Sequence, residues 1–166
     1  MFHLINENKK DEEDVENLLD TVFSPSRIHL SSYALRQGVS KIDSLSYVAK
    51  SHSGSVLGVV RQWPVFIDNP HNISLLTGPV AIHPTVQGEG LGASLLNLSL
   101  KKSKEEGWER ALLIGDIQYY RNFGFRQQEE HKIIFPPPTD PNRVLFLEIK
   151  QDSFRGLNGK VKIFSQ

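Results

Sequence analysis

Residues 75–107 read LLTGPVAIHPTVQGEGLGASLLNLSLKKSKEEG, and the order of residue types in this stretch decides the fold. Leu75–Ile82 is aliphatic and uncharged, which suits a strand covered on both faces. Pro79 interrupts it, and because proline donates nothing to a sheet ladder it marks a bulge or an unpaired edge. His83-Pro84 ends the strand and turns the chain. Gly88, Gly90 and Gly92 then stand at alternate positions, where the missing Cβ atoms let consecutive backbone N–H groups face one object outside the loop. Leu91, Leu95 and Leu98 recur at helical spacing with Leu96 and Leu100 beside them, opposite Asn97, Lys101 and Lys104. The sequence therefore predicts a strand, an anion-binding loop and a helix lying on the sheet. The unpaired N–H groups and positive dipole end of that helix favour a phosphate at its start.

The spacing narrows the choice of phosphate ligand. A dinucleotide fingerprint would place its third glycine at 93, where Ala93 stands, and a P-loop would close on Gly-Lys-Ser or Gly-Lys-Thr, where Gly92 precedes Ala93-Ser94. Working outward, Leu45–Lys50 and Ser55–Ile67 predict a hairpin across the turn 51–54, the second strand bent at Trp63-Pro64. Asp68–Asn72 predicts the next turn, leading into Ile73–Ile82. Arg110–Ile114 predicts a strand parallel to the central one, reached by a right-handed crossover through the leucine-rich helix. Phe2–Ile5 predicts a first strand, and Val15, Leu18, Leu19 and Val22 an amphipathic helix with Asp11–Asp14 in its first turn. Arg27–Gln37 predicts a second helix stopped by Gly38. Asp116 caps a short helix that ends at Gly124. Val144–Lys150 and a segment within 154–166 supply the last strands. One α/β domain over residues 1–166 follows, with a mixed, mostly antiparallel sheet flanked by helices.

Composition bounds the function. Lys plus Arg and Asp plus Glu number 19 each, and a neutral chain gives no support to general nucleic-acid binding. With no cysteine there is no disulfide, thiol nucleophile or cysteine metal site. The histidines form no pair at ligand spacing, so no metal is expected. The sequence shows no secretion signal and no apolar run of membrane length, which gives no membrane partner and a cytoplasmic expectation.

Two blocks resemble the GNAT family of N-acetyltransferases. Gln87, Gly90 and Gly92 meet that family's acyl-CoA loop signature. Tyr120 with Gly124-Phe125 meets its second motif, at the family's spacing. Leu113–Phe125, with the Gly115-Asp116 loop, Phe23–Arg27 and Arg61–Val65, is similar to a bacterial subgroup of predicted acetyltransferases. The resemblance implies a sheet whose two central parallel strands splay apart around the pantetheine arm of acetyl-CoA, used as cosubstrate. It implies that Val80, Ala81 and Ile82 bind pantetheine and thioester through their backbone. By the same resemblance Gln87, Gly88, Gly90, Leu91 and Gly92 cradle the pyrophosphate, and Tyr120 protonates the departing sulfur. The second partner is then an amine acceptor, and the family's common dimers make a homodimer one open assembly. His83, at the end of the cofactor strand, is a candidate general base, beside Glu89, Glu129, Glu130 and a water chain. A non-catalytic acyl-CoA sensor stands as the alternative function.

Overall fold

A computed structural model describes all 166 residues. In chain order the elements are β1 (Phe2–Asn6), α1 (Glu12–Phe23), α2 (Ser31–Ala34), β2 (Tyr47–Ser51), β3 (Val56–Ile67), β4 (Asn69–Ile82) and α3 (Leu91–Glu105). There follow β5 (Arg110–Ile114), α4 (Ile117–Tyr120), β6 (Arg126–Gln127), β7 (Ile133–Ile134), β8 (Val144–Glu148) and β9 (Gly159–Ile163). The sheet runs β1-β2-β3-β4-β5-β8-β6, and β9 pairs the far half of β3 and, in parallel, β7. Along the main order every pairing is antiparallel except β4 with β5. This is the mixed, mostly antiparallel sheet with a central parallel pair, β4 with β5, and flanking helices that the sequence predicts.

Strand alternation assigns the helices to opposite faces. Val48 and Val59 point to α1, where they pack with Val15, Leu18 and Leu19. Their neighbours Tyr47, Ala49 and Val60 point the other way and meet Leu91, Leu95 and Leu96 of α3. Close approach of α3 explains Gly58 in β3: a Cβ there would lie 2.9 Å from Leu95 Cδ1 and 3.0 Å from Ile82 Cδ1. The α3 face also buries polar atoms. Thr77 Oγ1 donates to Gln62 Oε1 (2.8 Å), Gln62 Nε2 to Ser99 Oγ (3.1 Å) and Ser99 Oγ to the Leu45 carbonyl (2.7 Å).

Three sequence expectations change. The helix expected over 27–37 is a 3-10 turn (Pro25–His29) and the single turn α2, separated by Leu30 in an extended conformation (φ −68°, ψ 145°). Tertiary bonds override the helical pattern there: Arg27 turns inward to Glu16 and Asp20, and Ser31 Oγ lies 2.6 Å from Thr139 Oγ1. The irregularity expected at Trp63-Pro64 falls at Arg61, where the β3–β4 register shifts. The turn expected over 68–72 tightens to Asp68, at φ 69°, with β4 already beginning at Asn69.

Candidate active site

The site begins where β4 and β5 part. They are in parallel register only at Leu75–Ala111 and Leu76–Leu112. Beyond that, β5 keeps β8 as its partner through Ile114, while β4 stays with β3 through Ile82. Gly78-Pro79 drives the separation. On β3, Val60 opposes Val80 and Gln62 opposes Thr77, so Arg61 faces two residues and β4 bulges. Gly78 has φ 132°, open to glycine and strained for any side chain. The Trp63 indole fixes the bulge by donating to the Gly78 carbonyl (2.7 Å). From Thr77 to Ile82 the β5-facing edge of β4 therefore carries no strand.

A cavity of about 610 Å³ fills this wedge, lined by Leu76–Val80 on one wall and Leu113–Asp116 on the other. Tyr119 and Tyr120 both border it. Asp116 holds the short helix that carries them, its carboxylate accepting from Gln118 N–H (2.9 Å). The Tyr120 ring packs against Gly115, where a Cβ would come within 2.6 Å of Cε2. Tyr119 meets it edge-on at 4.9 Å, and Phe125 backs it at 6.1 Å. Burial, aided by Tyr119 and opposed by Arg143, pushes the Tyr120 phenol up to about 12. It is thus protonated across the neutral range. Tyr119 is 41% exposed and reaches over the gap, its hydroxyl 3.0 Å from where a Cβ on Gly92 would sit.

At the other end of the β4 edge, Pro84–Val86 make one 3-10 turn and Gln87 Nε2 ties back to the Ile82 carbonyl (3.2 Å). Gly88 (φ 86°) and Gly90 (φ 77°) are left-handed and exposed, and Gly90 is the N-cap of α3. The helix therefore starts on a bare backbone surface with its first N–H groups free of side-chain caps.

Placement separates the residues named from sequence. Val80, Ala81 and Ile82, Gln87, Gly88, Gly90, Leu91 and Gly92 follow one another along the splayed edge and the start of α3. Tyr120 stands on the opposite wall. His83 does not join them. Its Nδ1 accepts from Thr85 N–H (3.2 Å) in the turn, and its side chain lines a groove with Asp14, Asn17 and Thr21 of α1. Glu89 is solvent-exposed, and Glu129 and Glu130 border a separate depression with Lys132. The carboxylates that line the cavity are Asp116 and Asp140. Sequence reading passed over Arg36, Arg143 and the Trp63–Gly78 bond. Of these, only the proline after Gly78 carried a local signal.

Residues 43–127 match the family model described as an acetyltransferase (GNAT) domain. An uncharacterised N-acetyltransferase of Prochlorococcus marinus is 43% identical over 49 residues, which are 28% of this chain and 27% of that protein. The chain thus spans about a quarter of that curated relative's length. A GNAT family N-acetyltransferase of Escherichia coli (YhbS), solved in complex with CoA, superposes with a TM-score of 0.82 over 98% of this chain and 89% of that one, at 23% identity. A GNAT family acetyltransferase of Brucella melitensis, solved with acetyl-CoA, gives a TM-score of 0.73 at 25% identity, over 99% and 97% of the two chains.

Proposed function

The chain belongs to the GNAT acetyltransferase family, and from that premise we propose that it transfers an acetyl group from acetyl-CoA directly to a primary amine. The observation that carries the reading is the wedge itself. One strand edge is stripped of its partner from Thr77 to Ile82, a bare helix start lies at one end and a protonated tyrosine on the facing wall. An unpartnered strand edge is matched by a ligand with its own amide groups, and a glycine-rich helix start by a pyrophosphate. CoA has both.

Acetyl-CoA, when bound, supplies an acetyl group activated as a thioester. Val80, Ala81 and Ile82 would hold its pantetheine arm through backbone hydrogen bonds. Gln87, Gly88, Gly90, Leu91 and Gly92 would hold the pyrophosphate, with Gly88 and Gly90 giving the ligand unobstructed access to backbone N–H. A free β4 N–H beside the bulge is placed to stabilise the oxyanion that forms when the amine adds to the carbonyl. Tyr120 would then donate its proton to the departing sulfur as the carbon–sulfur bond breaks, while the added nitrogen gives its surplus proton to water in the wedge, which returns one to the Tyr120 phenolate and leaves the amide. General acid catalysis of this kind typically contributes ~10²–10⁴-fold.

An amine with an ordinary pKa near ~10 must shed a proton before attack. His83 is turned away from the cavity and is not assigned this role. Water ordered by Asp116 and Asp140 is the route we favour. Residues 1–166 act as one domain in this reading.

Calorimetric titration with acetyl-CoA, CoA, ATP and NAD, followed by an amine panel, tests the proposal. Binding of CoA species alone, with N-acetylation of at least one amine, is the expected result. A folded protein without CoA affinity overturns it, and CoA affinity without transfer to any amine points instead to an acyl-CoA sensor.

A further inference from the structure

Arg36 has a charge that no carboxylate in the chain answers. It follows α2 and crosses to the bulge, its guanidinium 4.7 Å over the Tyr33 ring and 5.4 Å over the Trp63 ring. Its Nη2 lies 3.6 Å from where a Cβ on Gly78 would be. Trp63, which pins that bulge, thus also orients the cation. The neighbouring arginines are paired: Arg27 with Glu16 and Asp20, and Arg61 with Glu7 and Glu16. The Tyr33 hydroxyl accepts from Arg27. Arg36 has no carboxylate partner, and its Nε is shielded from solvent with no hydrogen-bond acceptor. Burial lowers its pKa to about 10, with Tyr33 opposing the shift and Arg61 and Arg27 adding repulsion, so it stays charged at neutral pH.

A half-buried guanidinium whose Nε is shielded without an acceptor and which has no carboxylate beside it is costly, and this one borders the wedge cavity at the point where the strands part. Arg143, exposed and without an ion-pair partner, adds a second positive group on the far wall, and Asp116 and Asp140 lie between the two in sequence and line the same space. A plain ammonium entering beside Arg36 would be repelled. One that carries its own anion would be drawn in, with the anion on Arg36.

We propose that Arg36 is the anchor for an anionic group on the acceptor, so that the substrate is a small molecule bearing both a primary amine and a carboxylate or phosphate. This rests on the acetyl-transfer reading for the amine and on the structure alone for the anion. Gly78 and Val80 are two residues apart across the bulge, no more than roughly 7 Å. An anion at the bulge and an amine at a thioester beside Val80 are therefore separated by a few bonds, as in an α-, β- or γ-amino acid or a phosphorylated amino alcohol. Arg36 binds and selects; it moves no proton.

Matched amines test this: L-leucine against isopentylamine, β-alanine against ethylamine, and O-phosphoethanolamine against ethanolamine. The expected wild-type preference in kcat/KM for the anionic member of at least one pair is about tenfold to a hundredfold, as for hydrogen bonds to a charged group. Arg36→Gln abolishes the preference, Arg36→Lys keeps part of it, and both leave acetyl-CoA affinity unchanged. A leading phosphate pair makes the anion a phosphate, and a leading carboxylate pair a carboxylate. A wild-type enzyme that shows no preference in any pair, or an Arg36→Gln variant that loses both members equally, overturns the proposal. Failure of acetyl transfer is read separately, by binding of the same probes without acetyl-CoA. Here Trp63 fluorescence is followed in Trp108→Phe, which leaves Trp63 as sole reporter. A saturable Trp63 response to an anionic probe, absent with its neutral-tailed partner and absent in Arg36→Gln, supports the anchor whatever becomes of catalysis. No response to any anionic probe at millimolar concentration overturns it.

Discussion

The ring of Tyr120 packs against Gly115, so closely that a methyl group at 115 would stand 2.6 Å from Cε2 and 2.9 Å from Cδ2. The contact is with a rigid ring backed by Phe125, so it is relieved only by moving the whole residue. Gly115→Ala should therefore act as a displacement of Tyr120 without touching its chemistry. A 1 Å misplacement of a catalytic group can lower a rate about 10²-fold. The expected outcome is a fall of that order in kcat, with CoA affinity within about twofold of wild type. Unchanged turnover would show that the ring's position on Gly115 is immaterial.

Tyr120→Phe removes the proton donor and leaves the ring in place. The acid role predicts a kcat loss of ~10²–10⁴-fold with acetyl-CoA binding retained by calorimetry. Tyr119→Phe is the comparison. Its hydroxyl stands beside Gly92 at the head of α3, so its loss should weaken CoA binding by less than about tenfold and spare the chemical step. A reversal of the two phenotypes would transfer the acid role to Tyr119.

The parts of this molecule that were legible in its sequence are those set by near neighbours in the chain. The strand, the His83-Pro84 turn, the left-handed glycines and α3 each follow from backbone preferences within about fifteen residues. The bulge at Gly78-Pro79 was announced by proline in an apolar run, whereas the splay of β4 from β5 was implied only by the family resemblance. Arg36 could not be read this way. Its meaning depends on Trp63 and Gly78 converging on it, and on the absence of the carboxylates that Arg27 and Arg61 have. The surroundings of His83 were equally illegible, since a position at the end of a strand says nothing about its neighbours Asp14, Asn17 and Thr21 on α1. The helix pattern over 27–37 is broken into a 3-10 turn and the single turn α2 because Glu16 holds Arg27 in the former and Thr139 holds Ser31 in the latter, both partners outside the segment.

Gly90 caps α3 at φ 77°, and a Cβ placed there would meet nothing within 4 Å. Gly90→Ala should thus suffer backbone strain alone, about 1–2 kcal/mol, and tilt the N–H groups proposed to hold the pyrophosphate. Affinity for CoA should fall about tenfold, while affinity for pantetheine, which lacks the pyrophosphate, should hold. Equal losses for the two ligands would place the pyrophosphate elsewhere.

Thr77 is the first β4 residue past the parallel pairing, and its hydroxyl closes the chain of bonds through Gln62 and Ser99 to the Leu45 carbonyl. All three side chains are within 2% of complete burial. Thr77→Val leaves the Gln62 carbonyl oxygen without a donor and should cost about 1–3 kcal/mol in urea unfolding. Adding Gln62→Leu removes the stranded group, so the double variant should be less destabilised than the sum of the two single changes. Strict additivity would mean that the three side chains do not act as one network.

Acid stability is governed on the opposite face by Asp11 and Glu16. Burial raises both carboxyls, but the hydrogen bonds and charge of Lys50 on Asp11 (2.5 Å) and of Arg61 and Arg27 on Glu16 outweigh it, and both fall below their ordinary values of 3.8 and 4.5. With the folded-state pKa depressed, the unfolded chain binds more protons around pH 4, so stability rises with pH there. The contribution is complete above the ordinary values and is lost as pH falls through the lower folded-state ones. Urea midpoints measured from pH 7 to pH 2 should therefore stay level down to about pH 5 and then drop. The drop should be shallower in Glu16→Gln, which starts from a lower plateau because Arg27 and Arg61 each lose a partner. A Glu16→Gln curve parallel to wild type through that range would assign the acid sensitivity to other groups.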